Sequence, residues 1–193
     1  MSYFPAFLNL NNKKILVIGG GKIAGDKIFH LLDFTKNITI ISPKIEKRVE
    51  EFIKKYSLTY INRKYEEGDI KDHFIVIVAA DDLSLQEKVF KECQNRKILC
   101  NSVDSVKYCD FIFPSYIKND DLIIAISTSG ASPSFAKYLR RAIEKIIPKN
   151  INIFLSELKN IRQKLPKGKE RQDILDKKAK EYIEKIFKKD LYV

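Results

Sequence analysis

The fold of this chain is decided by Lys14-Ile15-Leu16-Val17-Ile18-Gly19-Gly20-Gly21-Lys22-Ile23-Ala24-Gly25. The apolar run predicts a buried β-strand, the glycines predict a turn, and a helix is predicted to follow. Gly19, Gly21 and Ala24 fit the spacing G-x-G-x-x-G/A of a dinucleotide-binding turn in its expected context. In that motif the first glycine permits a tight turn, the second lets the backbone approach a diphosphate, and the third position stays small for packing.

The start of the predicted helix is suited to phosphate, because its first N–H groups are unpaired and the helix dipole is positive there. The alternative is a glycine-rich turn that binds nothing. An acidic residue normally ends the second strand and holds the ribose, whereas this chain has Ser42-Pro43-Lys44 at that point. Lysine favours a 2′-phosphate, so the residues alone leave NAD and NADP both open.

Composition limits the class of protein. The chain has 193 residues, 45% of them hydrophobic and 32% charged, with a net charge of +11. No apolar run is long enough to span a bilayer, and the first residues do not resemble a signal peptide. The three cysteines fit no zinc spacing, and the two histidines lack ligand neighbours. We therefore expect a cytoplasmic protein that has no membrane partner and no preformed metal site.

Basic residues are concentrated in the last part of the chain, from Lys149 onward. A basic tail of this kind is attractive to nucleic acid. The lysines alternate with apolar residues at helical spacing, which solvated helix faces also show, and no recognised nucleic-acid motif is present. We expect no nucleic-acid partner.

Strands and helices alternate along the first part of the chain, which predicts a parallel sheet covered by helices. A turn cluster at Lys118–Asp121 then separates two apolar runs and predicts a β-hairpin, whose exposed edges favour pairing with a second copy. The expected class is α/β, a Rossmann-type parallel sheet followed by a β-hairpin/helix dimerisation region and a C-terminal helical region. The predicted parts are a nucleotide-binding domain at 1–110, a dimerisation region at 111–148 and a basic helical region at 149–193. Predicted strands lie near 14–18, 38–42, 58–61, 74–79, 98–101, 111–117 and 122–127, and predicted helices near 22–32, 43–56, 81–95, 133–147, 151–164 and 168–188.

Two loops carry candidate chemistry. Asp104 follows the fifth predicted strand, where ligands of doubly wound sheets bind, although a turn aspartate that holds its own backbone explains it equally well. Asp81 and Asp82 follow the fourth strand and suit a helix start. The loop Ser127–Pro133 offers hydroxyls and a helix N-terminus, which favour either an anion site or a simple helix cap.

Several segments together resemble one family, the precorrin-2 dehydrogenase/sirohydrochlorin ferrochelatase family, which is the NAD-dependent module of siroheme synthase. They occur in family order across about the first 147 residues. The matching segments are Tyr3-Phe4-Pro5-Ala6-Phe7-Leu8-Asn9-Leu10, Val17-Ile18-Gly19-Gly20-Gly21-Lys22-Ile23-Ala24, Ala79-Ala80-Asp81-Asp82, Asn101-Ser102-Val103-Asp104, Asp110-Phe111-Ile112-Phe113-Pro114-Ser115 and Ser127-Thr128-Ser129-Gly130-Ala131-Ser132-Pro133.

The resemblance implies a homodimer that oxidises the tetrapyrrole precorrin-2 to sirohydrochlorin with NAD⁺. In some members the same site then inserts Fe²⁺ into the product, and Co²⁺ is an alternative metal. Asp104 falls on the family's catalytic aspartate. This chain departs from the family pattern at Asp26-Lys27, where Arg-Lys is common, and at Ala80, where threonine is usual. The implied cofactor contacts are Gly19, Gly20, Gly21, Lys22, Ile23, Ala24, Ser42, Pro43, Lys44, Ala80 and Asp81, and the implied substrate contacts are Ser127, Thr128, Ser129, Gly130 and Ser132.

Within the family, the resemblance leaves open a chelatase that has lost its dehydrogenase activity, or the reverse. Two further alternatives remain open from the residues alone. One is another nicotinamide oxidoreductase on the same fold. The other is a nucleotide-sensing regulator whose basic tail binds nucleic acid.

Overall fold

A computed structural model describes residues 3–103 and 105–188. Within it the chain forms two compact units, Tyr3–Ile112 and the part that begins at Phe113. The predicted division into three parts stays a prediction.

The first unit is a five-stranded sheet with order β3-β2-β1-β4-β5, in which every neighbouring pair is parallel. Strand order reverses between β1 and β4, as in other doubly wound sheets. This arrangement confirms the predicted α/β class. The strands are β1 (Ile15–Ile18), β2 (Ile38–Ile41), β3 (Thr59–Ile61), β4 (Ile75–Val78) and β5 (Leu99–Ser102), and the helices are α1 (Lys22–Leu32), α2 (Lys47–Tyr56) and α3 (Leu83–Arg96).

The central strands are apolar along their whole length because helices cover the sheet. Every residue of β1 and β4 is buried. Continuous Ile/Val/Leu runs are typical of such parallel strands, whereas a sheet with one wet face alternates apolar and polar residues. On one side, Val89 and Cys93 of α3 pack against Val76 and Cys100.

The carboxyl ends of four strands lie level with one another. Ile18 pairs with Ile41 and with Val78, and Val78 pairs with Ser102. The four segments that leave these strands therefore start from one edge of the sheet, where doubly wound proteins bind ligands.

Helix α2 begins four residues later than the sequence pattern predicts. It starts at Lys47, not at Pro43. The Glu46 N–H donates to the Gly20 carbonyl at 2.8 Å, and the Ser42 hydroxyl donates to the Lys44 carbonyl at 2.6 Å. These two bonds hold residues 43–46 as a turn against the glycines instead of as a first helical turn.

The second unit begins with the predicted β-hairpin. Strands β6 (Ser115–Asn119) and β7 (Leu122–Ile126) are antiparallel, with Asn119 opposite Leu122. The first strand starts at Ser115 rather than at 111. Helices α4 (Pro133–Ile146), α5 (Ile151–Lys164) and α6 (Lys169–Lys188) follow.

The residues before β6 are attached to the first unit's sheet. The Asp110 N–H donates to the Cys100 carbonyl at 2.8 Å, and the Asn101 amide donates to the Phe111 carbonyl at 2.8 Å. This short antiparallel contact with β5 explains why the predicted hairpin strand does not extend back to 111.

Helices α4 and α5 each pack on the hairpin, and α5 also packs on α6 through stacked rings. The centroids of Phe154 and Tyr182 lie 3.8 Å apart in nearly parallel planes. Among the described residues, no helix has the length and apolar character required to cross a membrane.

Candidate functional site

The first two glycines after β1 are required by the fold itself. A Cβ on Gly19 would lie 2.2 Å from the Ala79 carbonyl oxygen, and Gly19 has a φ of +115°. A Cβ on Gly20 would lie 2.4 Å from the Lys44 carbonyl oxygen. Backbone atoms cannot yield as flexible side chains do, so both positions exclude larger residues.

Gly21 differs, because no backbone segment among the described residues lies within 4 Å of a Cβ built there. The nearest atom to a Cβ there is the exposed Glu46 carboxylate, at 4.0 Å. Gly21 is the N-cap residue of α1, it supplies no side-chain cap, and the first turn of α1 contains no acidic residue. The first intrahelical N–H bond runs from Gly25 to the Gly21 carbonyl at 3.0 Å.

The N-terminus of α1 therefore keeps the donors and the positive potential that bind a diphosphate. At two other helix starts near predicted sites, a side chain already occupies one of the unpaired N–H groups. Asp82 accepts from the Leu85 N–H at the start of α3, and Ser132 accepts from the Phe135 N–H at the start of α4. Of these three helix starts, only that of α1 has no side-chain cap, and a diphosphate contact at Gly19–Ala24 stays a prediction.

Ala24 and Gly25 explain how α1 stays close to its neighbours. Ala24 is fully buried, and a Cβ on Gly25 would lie 3.4 Å from Val49 of α2. Asp26, where the family often has arginine, forms an ion pair with Arg48 of α2. The departure at Asp26 thus joins α1 to α2.

The turn after β2 places Pro43 and Lys44 on the surface beside the glycines, with both side chains exposed. Ser42 is buried, and its hydroxyl, N–H and carbonyl all bond to the protein, the last by accepting from the Tyr60 hydroxyl at 3.0 Å. Ser42 therefore shapes this turn. A direct contact between Ser42 and a cofactor stays a prediction.

The segment after β4 is hydrogen-bonded to a residue of α3 that the sequence did not reveal. Gln86, buried on α3, donates from its amide to the Ala80 carbonyl at 2.9 Å. Asp82 caps α3 as expected. Gln86 lies on the same helix face as Val89 and Cys93, which indicates a buried position. Because a buried amide needs a hydrogen-bond partner, this position was the signal in the sequence that could have identified it.

The segment after β5 continues the sheet for one more residue. The Val103 N–H donates to the Val78 carbonyl at 2.9 Å. The predicted catalytic residue, Asp104, lies outside the described residues. Among the side chains that the structure describes, four polar atoms are buried without a hydrogen-bond partner: the Ser102 hydroxyl, the amide oxygens of Asn101 and Gln86, and the Tyr3 hydroxyl.

In the second unit, the predicted substrate loop uses its hydroxyl oxygens to fold. Ser127 accepts from the Ser129 N–H at 3.0 Å, and Thr128 accepts from the Ser132 N–H at 3.0 Å. Ser129 and Gly130 have positive φ angles of 51° and 89°. The helix-cap interpretation of Ser132 fits these bonds, and each hydroxyl hydrogen is still available to a ligand. Substrate contact by Ser127, Thr128, Ser129, Gly130 and Ser132 stays a prediction.

Metal ligands are not clustered in the described parts of the chain, where no group of three or more His, Cys, Asp or Glu could hold an ion. Burial is the main cause that lowers the pKa of both His30 and His73 below the usual value, which favours the neutral form of each.

Two families of known proteins match parts of this chain. A family described as putative NAD(P)-binding matches residues 6–115, which include the sheet and its glycine turn. The chain belongs to this NAD(P)-binding family. A second family, described as sirohaem biosynthesis protein central, matches residues 119–146, which include the last residue of β6, the hairpin turn, β7 and all of α4.

The curated relatives agree with the resemblance found in the motifs and confirm it. The chain is 35% identical over 153 residues to a siroheme synthase of Mannheimia succiniciproducens and 36% identical over 148 residues to that of Nitrosococcus oceani. These matches cover 79% and 77% of this chain and 32% of each relative. The chain thus spans about a third of the length of these relatives.

A solved structure, that of SirC, precorrin-2 dehydrogenase, has a similar fold. It matches with a TM-score of 0.77 and 24% identity, over 96% of this chain and 100% of the other. This likeness supports the α/β architecture with its hairpin and helices.

Proposed function

We propose that the protein is a precorrin-2 dehydrogenase, which oxidises precorrin-2 to sirohydrochlorin with NAD⁺ as the hydride acceptor. The observation that carries the proposal is the glycine turn at the edge of the sheet where the carboxyl ends of the parallel strands lie side by side. There Gly19 and Gly20 are fixed by backbone contacts, while Gly21 opens onto an uncapped helix. The names of the relatives and of the similar structure support the choice of substrate.

In this proposal the chain's own residues bind and orient the cofactor. The N–H groups at the start of α1 hold the diphosphate, and Pro43 and Lys44 flank it from the turn after β2. Gln86 keeps the Ala80 segment in place through its amide bond. When bound, NAD would accept the hydride. The protein holds the cofactor and the tetrapyrrole in the relative position that hydride transfer requires.

Asp104 is proposed as the group that accepts the proton released as the hydride leaves. The residue before it in the sequence, Val103, is still bonded to the end of β4. The substrate is a polycarboxylate, and we propose that the hydroxyls of the Ser127–Ser132 loop donate to its carboxylates. The net charge of +11 favours its capture.

The direct test is incubation of the protein with precorrin-2 and NAD⁺ while the absorbance of sirohydrochlorin is followed. We expect turnover by the wild-type chain. Asp104→Ala should lower turnover by about a hundredfold or more while the Kd for NAD changes less than twofold, because a general base acts on the reaction and not on cofactor binding.

Asp104→Asn is the matched control, since it keeps the shape of the side chain and removes the basic oxygen. Full activity in Asp104→Ala would exclude the proposed base. Continuing the same assay after Fe²⁺ or Co²⁺ is added tests whether the protein also inserts metal, as the resemblance implies for some members.

We further propose a homodimer, formed through the second unit. One face of α4 packs on the hairpin, while Phe135 and Tyr138 are 60% and 65% exposed. Exposed aromatic side chains one helical turn apart are typical of a protein–protein interface. All three cysteines are free, which supports a cytoplasmic location.

A further inference from the structure

Cys109 is a residue that neither the motifs nor the comparisons assign. Its single S–H group is shared between two carbonyl oxygens, that of Ser102, 3.1 Å from the sulfur, and that of Ser105, 3.2 Å from it, as a three-centred hydrogen bond. Ser102 ends β5, and Ser105 comes just before a short 3₁₀ turn at Val106–Tyr108. One side chain thus joins the backbone on both sides of the segment that contains Asp104.

The thiol is itself held in place by the sheet. Cys109 pairs with Asn101 in an isolated antiparallel bridge, and the Asn101 amide lies 3.5 Å from the sulfur. The next residue, Asp110, accepts from the Cys100 N–H at 2.9 Å and from the Gln94 amide at 2.9 and 3.0 Å. These bonds fix the base of the loop to β5 and α3.

We infer that Cys109 is a positioning residue for the proposed dehydrogenase, because its thiol closes the 102–105 loop and so sets the geometry from which Asp104 acts. The inference rests on the proposed function. It needs the thiol form, because a thiolate has no hydrogen to donate. Burial raises the pKa of Cys109 above the usual value for cysteine, so the donor is retained at neutral pH.

The energetic consequence is expected in catalysis more than in folding. A hydrogen bond from a thiol is weak, so its loss changes global stability little. A misplacement of about 1 Å in a reacting group lowers turnover by up to roughly a hundredfold. Cofactor binding depends on the α1 turn and should be unaffected.

The experiment compares wild type, Cys109→Ala, Cys109→Ser and Val106→Ala. Serine keeps a donor, alanine removes it, and Val106 is an exposed residue of the same loop, 60% accessible. We expect Cys109→Ala to lower kcat about tenfold or more, with the Kd for NAD within twofold of wild type. Cys109→Ser should recover most of that loss, and Val106→Ala should resemble wild type.

Amide hydrogen exchange provides a readout that does not depend on activity. In Cys109→Ala, exchange should rise in the peptide that contains residues 103–108, while peptides from β1 and α1 exchange as in wild type. The inference is overturned if exchange in 103–108 is unchanged, if kcat is unchanged, or if serine is as damaging as alanine.

Failure of the proposed function would appear differently. Wild-type protein with no turnover of precorrin-2 would contradict the dehydrogenase proposal. The exchange comparison would still decide whether Cys109 holds the loop, and unchanged exchange there would reject the inference whatever reaction the protein performs.

Discussion

A new side chain at Gly21 would enter open space, whereas one at Gly19 would collide with the backbone. Substitution at Gly21 is therefore expected to affect cofactor binding, and substitution at Gly19 to affect folding. Asp at position 21 would occupy the N-cap of α1, where it accepts N–H bonds that the helix start leaves unpaired. We expect Gly21→Asp to change the free energy of unfolding by less than about 1 kcal/mol, because repulsion from the Glu46 carboxylate offsets the gain from the cap. It should weaken NAD binding by tenfold or more, since its carboxylate competes for the same donors and repels the diphosphate.

Thermal unfolding and calorimetric titration with NAD measure the two effects. Gly19→Ala is the contrasting variant, because its Cβ would meet the Ala79 carbonyl at 2.2 Å in a conformation with positive φ. That variant should lose stability first, by about 2 kcal/mol or more. Unimpaired NAD affinity in a folded Gly21→Asp protein would refute the diphosphate site.

The sequence was sufficient to locate the glycine turn, since strand, glycines and helix are adjacent in the chain. It could not distinguish the two kinds of glycine, because the contacts of Gly19 and Gly20 come from Ala79 and Lys44, which are distant in sequence. Gln86 and Cys109 were missed for the same reason. Their partners are backbone carbonyls that only the folded chain brings near.

The β3–β4 connection contains no helix, unlike the other crossovers of the sheet. Arg63 instead binds both oxygens of Asp69, each at 2.7 Å, and Ile70 is fully buried. The hydrogen bond from Arg63 is the main cause that lowers the pKa of Asp69 below its usual value. The Arg63–Asp69 pair and the buried Ile70 therefore stabilise this loop, where the other crossovers have the hydrogen bonds of a helix.

Asp69→Asn should destabilise the protein by roughly 1 kcal/mol at pH 7, because it weakens this pairing and a bond from the Glu66 N–H. A carboxyl with a lowered folded pKa stabilises the protein above the unfolded value of 3.8, and this contribution is lost as pH falls through the folded pKa. The difference in unfolding free energy between wild type and Asp69→Asn should therefore be full at pH 6 and shrink below pH 4. Urea unfolding at several pH values measures it, and a pH-independent difference would contradict the assignment.

The start of α2 illustrates what periodicity alone cannot predict about an element. Ile45, Val49, Phe52 and Ile53 have helical spacing, so the pattern favours a helix from Pro43. A tertiary bond from Glu46 to Gly20 and a local bond from Ser42 to Lys44 hold the chain in a turn until Lys47. That turn is one wall of the proposed cofactor site.

A dimer of the whole molecule can be tested by a substitution on α4 that suits the helix. Phe135 is the third residue of α4, and Ser132 is its N-cap, so glutamate at 135 forms the favourable Ser-x-x-Glu pattern. We expect Phe135→Glu to stay folded and to shift the protein from dimer to monomer, because it places a charge in the apolar face. Lys137→Glu, an exposed position of the same helix, is the matched control. Light scattering after gel filtration measures the mass, and a monomeric wild type at micromolar concentration would exclude the interface.

The charge of the whole molecule predicts how its activity responds to salt. The net charge of +11 attracts a polycarboxylate over distances beyond contact, and this attraction is screened as the Debye length falls to roughly 10 Å at 0.1 M salt. We expect kcat/KM for precorrin-2 to fall by about tenfold between roughly 0.02 and 0.5 M KCl, while kcat at saturating substrate changes little, because screening affects encounter and not the bound complex. Sucrose at equal osmolality controls for water activity. A kcat/KM that is insensitive to salt would show that local hydrogen bonds, and not the field of the basic surface, determine substrate capture.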